Sequence, residues 1–106
     1  MSTPVKPPYS VRQVFVCTNV RDPQWGKPSC GRNGAIELRE RLKKTVKERG
    51  LKRQVLVTQS GCLDHCPQTG CTVAIYPENE WAVVECTPEE EEALLARILE
   101  GTTPAP

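Results

Sequence analysis

The sequence predicts an α/β fold: a mixed four-stranded sheet with two main helices, in the order β-α-β-β-β-α. Three patterns carry this prediction. Two Val-rich runs, residues 11–18 (VRQVFVCT) and 54–58 (QVLVT), flank a stretch whose apolar residues recur at helical spacing. Two further apolar runs, 72–76 (TVAIY) and 81–86 (WAVVEC), stand either side of a short polar break, as the arms of a hairpin do. A last amphipathic segment opens on a capping sequence with proline at its first position. At 106 residues the chain is one domain with a single core, and its few aromatic residues keep that core modest.

Residues 1–10 contain Pro4, Pro7 and Pro8 and little to bury, which predicts a flexible N-terminal tail before a domain spanning 11–101. The first strand covers residues 11–18, with Cys17 at its C-terminal end. Residues 19–29, broken by Asp22, Pro23, Gly26 and Pro28, predict a long loop of the kind that is functional or mobile in compact domains. A helix starts near Ala35: Ala35, Leu38, Leu42 and Val46 form its buried stripe, and Arg39, Arg41, Lys43, Lys44 and Lys47 face outward. Gly50 closes it as a left-handed cap. A strand, a helix and a second strand make a βαβ unit, so the first two strands run parallel with a right-handed crossover. The hairpin turns through 77–80 (PENE). Thr87, Pro88, Glu89 and Glu90 then cap the last helix, and the acids there suit the positive end of its dipole. Leu94, Leu95, Ile98 and Leu99 supply that helix's buried face, Gly101 ends it, and 102–106 form a C-terminal tail. This element order is that of a thioredoxin-like fold, and other α/β sandwiches share it.

The net charge of +1 hides an asymmetry. Residues 1–53 carry +9 and residues 54–106 carry −8. The plain reading is two solvated helices of opposite sign that offset each other; the alternative is a basic docking face for an acidic partner. The basic helix face from Arg39 to Arg53 has no aromatic side chains interleaved with it, which speaks against nucleic acid. No apolar run approaches the roughly 20 residues of a membrane span, and no charged-then-apolar leader opens the chain, so a cytoplasmic protein without a membrane anchor is expected.

Six cysteines in a reducing compartment point to metal binding or redox chemistry and away from a disulfide framework. Residues 60–71 (SGCLDHCPQTGC) place three of them and the only histidine close together. Cys62 and Cys66 stand at C-x3-C spacing in a loop punctuated by Gly61, Pro67 and Gly70, while Cys17 and Cys30, at C-x12-C spacing, flank the other long loop. In a parallel βαβ unit the loops leaving both strands emerge at one edge of the sheet, where such folds place their ligands. Four thiolates therefore converge. A tetrahedral sulfur set holds zinc or an iron-sulfur centre, and ligand identity alone does not choose between them. Structural zinc sites use short pairs on both sides, unlike the longer gap here, and the spacing matches neither the plant-type nor the bacterial ferredoxin run.

VFVC at 14–17, the C-x12-C gap ending in Pro28, Ser29 and Cys30, Ser60-Gly61-Cys62 with its C-x3-C, and VAIYPENEW at 73–81 together resemble the thioredoxin-like 2Fe-2S ferredoxins. The resemblance spans roughly residues 11 to 100. It implies one 2Fe-2S cluster per chain, with Cys17 and Cys30 binding one part, Cys62 and Cys66 the other, and two sulfides bridging the irons. It implies a homodimer that passes single electrons between redox protein partners and catalyses no reaction. Four thiolates stabilise the ferric state, so the potential is expected to be on the order of a few hundred millivolts negative. Backbone amides around Gly61 and Gly31 are candidate donors to the sulfurs. The chain departs from the family at Cys71, which follows Gly70 where the family would have proline.

Rival readings are a zinc-thiolate module that binds another protein, an iron-sulfur sensor, and a thiol-disulfide oxidoreductase. The last lacks a C-x-x-C at a helix N-terminus; Cys30 before Gly31 has the location without the partner. His65 is either a cluster ligand, as histidine is in Rieske centres, or an exposed loop residue. Cys71 reads as an alternative ligand or a small buried residue at a strand start, and Cys86 as a structural thiol. Arg21 and Trp25 are candidate partner contacts or a loop tip, and Trp81 packs in the core or at a dimer interface.

Overall fold

Alternating β-branched residues set the faces of the sheet. In the computed structural model, which describes residues 3–6, 8–20, 30, 33–61 and 69–103, the elements are β1 (Arg12–Cys17), α1 (Ala35–Glu48), β2 (Val55–Ser60), β3 (Cys71–Tyr76), β4 (Glu80–Val84) and α2 (Pro88–Ile98). The sheet order is β2-β1-β3-β4, with β1 and β2 parallel and the other pairs antiparallel. The expected mixed sheet and element order are both present. Val14 pairs with Val57 and with Ile75, and Val16 with Val73, so these residues share one face. Leu38, Leu42 and Val46 of α1 and Leu94 and Ile98 of α2 bury against that face in a single cluster. Each such side chain contributes about 1.5–3 kcal/mol on leaving water.

Both helices therefore cover the same side of the sheet. Their opposite charges meet there: Arg41 Nε lies 2.8 Å from Glu91 Oε1, which fits offset between neighbouring helices. The other face carries Phe15, Leu56, Ala74, Tyr76, Trp81 and Val83, and no described helix covers it. Trp81, expected in the core or at an interface, is 49% exposed, and Val83 is 44% exposed.

Several boundaries differ from expectation for local reasons. The first strand is two residues shorter than expected, and β2 starts one residue later and ends two residues later, because the parallel ladder runs from Arg12 paired with Val55 to Cys17 paired with Ser60. β4 begins at Glu80 and stops at Val84, because its ladder with β3 runs from Ile75–Glu80 to Cys71–Val84. The chain is already fastened at Ser10 and Val11, whose amides donate to Arg53 O and Gln54 O at 3.0 and 2.9 Å. Met1, Ser2 and Pro7 of the expected tail, residues 21–29 of the expected loop, and 104–106 lie outside the described residues. Thr87 caps α2 as expected, accepting from Glu90 N at 3.3 Å, but Glu90 Oε2 accepts from Glu85 N and so holds the approach to the helix. Leu95 and Leu99 pack at the rim of the core and are half-buried. No helix among the described residues is long and apolar enough to cross a membrane.

A buried charge closes the end of the sheet opposite the cysteines. Arg12, 5% exposed, forks onto Glu78 at 3.2 Å (Nε to Oε1) and 2.7 Å (Nη2 to Oε2). Its Nη1 donates to the carbonyls of Ile98 and Glu100, both at 2.7 Å. One guanidinium thus ties the start of β1 to the hairpin loop and to the end of α2.

Candidate metal centre

The parallel pairing of β1 with β2 brings the C-terminal ends of the two strands, which precede the two cysteine loops, side by side. Cys17 ends β1 directly opposite Ser60, the last residue of β2, and Thr18 N donates to Ser60 O at 3.3 Å. Cys62 follows Ser60 by two residues in the sequence. Cys62, Cys66 and His65 lie outside the described residues, as do Arg21, Trp25 and Gly31. The described chain leaves this region at Gly61 and resumes at Thr69, just before β3. Because β3 pairs with β1, with Val16 opposite Val73, that return point also lies beside the end of β1.

Cys17 and Cys30 are each 2% exposed, and the Cys17 thiol is near enough to Cys30 to raise its pKa. Cys30 is anchored through its carbonyl, which accepts from Asn33 N at 3.0 Å and Ala35 N at 3.1 Å and so serves the first amides of α1. Its sulfur accepts a hydrogen bond from Thr72 N at 3.4 Å. Burial pushes the Cys30 thiol up; the Thr72 amide lowers it, and contact with Cys17 raises it further. A metal ion reverses that balance by replacing the proton, so two buried, adjacent thiols with a backbone donor on one sulfur suit a metal-thiolate site. Among the described residues no three Cys, His, Asp or Glu groups are placed to share a metal ion.

Cys71 and Cys86 lie close by. Cys71, the first residue of β3, is fully buried, and its Sγ is 3.7 Å from Val84 O. Burial pushes its thiol far up, with Cys86, Cys30 and Cys17 adding to the shift. Cys86, half-buried, is also raised chiefly by burial, while its hydrogen bond with Cys71 lowers it. The sequence leaves Cys71 as an alternative ligand or a small buried residue at a strand start, and carries no sign that Cys86 would influence it. The Thr72 donor was also missed, because which amide of β3 meets Cys30 depends on the three-dimensional approach of the two segments.

Gly70 shapes this corner. Its φ is 76° and an added Cβ would stand 2.7 Å from Val84 O, while its own carbonyl accepts from Asn33 Nδ2 at 2.9 Å. Gly70→Ala is expected to cost about 2–4 kcal/mol, combining a left-handed conformation with a backbone clash. Denaturant unfolding measures it. A loss below about 0.5 kcal/mol, the range of ordinary surface changes, would show that the corner relaxes freely.

No protein-family model matches the chain. Among curated proteins it is similar to a 2Fe-2S ferredoxin of Clostridium pasteurianum, 30% identical over 88 residues that cover 83% of this chain and 85% of that protein. It is also similar to a 2Fe-2S ferredoxin of Aquifex aeolicus, 28% identical over 94 residues covering 88% of this chain and 83% of that one. The crystal structure of the thioredoxin-like [2Fe-2S] ferredoxin from Aquifex aeolicus superposes with a TM-score of 0.74 at 26% identity, covering 91% of this chain and 92% of the other. Sequence, element order and the paired buried thiols thus agree, and the chain belongs to the thioredoxin-like 2Fe-2S ferredoxin family.

Proposed function

We propose that the 2Fe-2S cluster of this one-electron carrier is held by Cys17, Cys30, Cys62 and Cys66, one cluster per chain. The observation that carries the assignment is the buried Cys17–Cys30 pair beside the point where the chain departs towards Cys62, with the Thr72 amide directed at the Cys30 sulfur. Two Aquifex aeolicus ferredoxin structures are cysteine-to-serine variants at positions four apart, the spacing of Cys62 and Cys66, which supports that half of the set. When bound, the cluster supplies a reversible one-electron couple. The chain's own contributions are exclusion of water from Cys17 and Cys30 and an N–H donor on Cys30, which offsets negative charge at the sulfur and raises the potential. Electron passage needs no proton or group transfer, in keeping with a carrier that is not an enzyme.

The carrier works as a homodimer in this reading, between redox protein partners in the cytoplasm, where its thiols stay reduced. Its helix-free sheet face supports the dimer. Phe15 and Tyr76 meet edge to face at 5.9 Å there, and Trp81 and Val83 remain exposed beside them. A second copy laid on that face would bury an apolar patch that a monomer leaves in water.

The test is iron and acid-labile sulfide per chain on anaerobically purified protein, with EPR before and after dithionite and a sedimentation mass on the same sample. Roughly two of each per chain, an EPR-silent oxidised form and a rhombic S = 1/2 signal on reduction are expected. Stoichiometric zinc without iron from iron-replete cells would overturn the cluster assignment. A monomer mass at micromolar concentration would overturn the dimer alone.

A further inference from the structure

We propose that the groove between α1 and the outer edge of β2 is a docking site for an acidic, extended segment of a partner protein, which adds to the sheet beside β2. The inference rests on the carrier reading for that partner being a redox protein, while the groove itself asks for no cluster. β2 lies at the end of the sheet order β2-β1-β3-β4, so among the described residues only β1 pairs with it, and its outer edge presents backbone donors and acceptors that the sheet does not use. A groove of about 320 Å³ follows that edge, lined by residues 55–58 of β2 and by Lys43, Val46, Lys47 and Lys52. Consecutive strand residues point to alternate faces, so a cavity touching all four runs along the edge and not over one face. β2 itself carries no charged side chain.

The charge around the groove selects the occupant. Lys43, Lys47 and Lys52 are exposed and form no ion pair among the described residues; Glu40 and Glu48 of α1 pair with Arg39 and Lys44 instead. The offset between the two helices is made elsewhere, by Arg41 and Glu91. Lysines beside an open edge repel a second copy of the same edge, a device that keeps sheets from joining, and the same field draws in a strand of acidic residues. The spacing agrees. Lys43 and Lys47 stand four residues apart on α1, about 6 Å along the helix axis, and alternate residues of a strand stand about 6.6 Å apart, so acids at every second position meet both lysines. The positions between those acids project towards the helix-free face beside Leu56, where apolar side chains fit. Backbone pairing along β2 then supplies the hold, and the lysines choose the sequence.

The experiment titrates the cluster-loaded full chain with a short capped peptide alternating glutamate with valine, and follows amide hydrogen exchange by NMR. A peptide with the same residues in two blocks and a copy with lysine for glutamate serve as controls. The alternating acidic peptide is expected to bind, more weakly as salt is raised, and to slow exchange at those amides of residues 55–58 that do not serve the β1 ladder. Lys43→Glu with Lys47→Glu, checked for an unchanged Tm, should weaken binding roughly tenfold, as the loss of two exposed ion pairs implies. Where that pair lowers Tm, Lys43→Gln with Lys47→Gln takes its place. Equal binding of the block or lysine peptide, protection confined to other strands, or displacement of the peptide by a single-stranded oligonucleotide would each overturn the proposal. A sedimentation mass that falls in the charge-reversed variant would give the groove to a second copy and overturn it too. Iron per chain is measured on every sample, so a protein without iron that still binds the peptide would sink the carrier reading and leave the groove assigned.

Discussion

Replacing Arg12 by leucine is expected to lower unfolding stability by about 2–3 kcal/mol, the cost of leaving the carbonyls of Ile98 and Glu100 without the charged donor they share, since Glu78 faces solvent. The charge on Glu78 would survive without its fork, and the carbonyls of Ile98 and Glu100 would lose a donor. Arg12→Lys keeps the charge without the fork and should fall between the two. Urea unfolding of the three proteins ranks them, and a leucine variant within about 1 kcal/mol of the parent would show that the clamp contributes little. The same contact gives an acid limb to the stability curve. The Arg12 hydrogen bond holds the Glu78 carboxyl down to about 2 against an ordinary 4.5. Because the folded value is depressed, this stabilisation is fully present above about pH 4.5 and drains away as pH falls towards 2. The leucine variant should lose less over that interval than the parent does.

Cys30→Ala, Cys17→Ala, Cys62→Ala and Cys66→Ala are each expected to take the purified protein from roughly two irons per chain to near zero and to bleach its visible absorption. Cys71→Ala and Cys86→Ala should keep both. The contrast separates ligands from neighbours better than any single variant. Retention of iron in Cys62→Ala together with its loss in Cys71→Ala would move the fourth donor to the start of β3.

The architecture was legible because its signals are local and mutually consistent. Valines at alternating positions, the Ala35-Leu38-Leu42-Val46 stripe and the Thr87-Pro88 start each name their own element. The parallel pairing followed from element order, and with it the adjacency of the C-terminal ends of β1 and β2. Features that depend on register were not legible. Nothing in the composition of β1 marks Arg12 as buried, because its two carbonyl acceptors lie 86 and 88 residues away in sequence. The contact of Cys71 with Cys86 likewise follows from how the chain leaves β4, and the shortfall of that strand at Val84 was itself hidden behind an apolar run continuing to Cys86.

The central position of β1 dictates a schedule for making the protein. This strand is the first to be synthesised, yet both of its neighbours come later, at residues 55–60 and 71–76. A ribosome adding about 5–20 residues per second must translate beyond Tyr76 before β1 can be paired on both sides. The Thr72 amide that meets Cys30 belongs to the same late strand. The Cys30 sulfur therefore gains this donor only after translation has passed Thr72. Refolding in the test tube should be paced by these distant pairings and not by its helices.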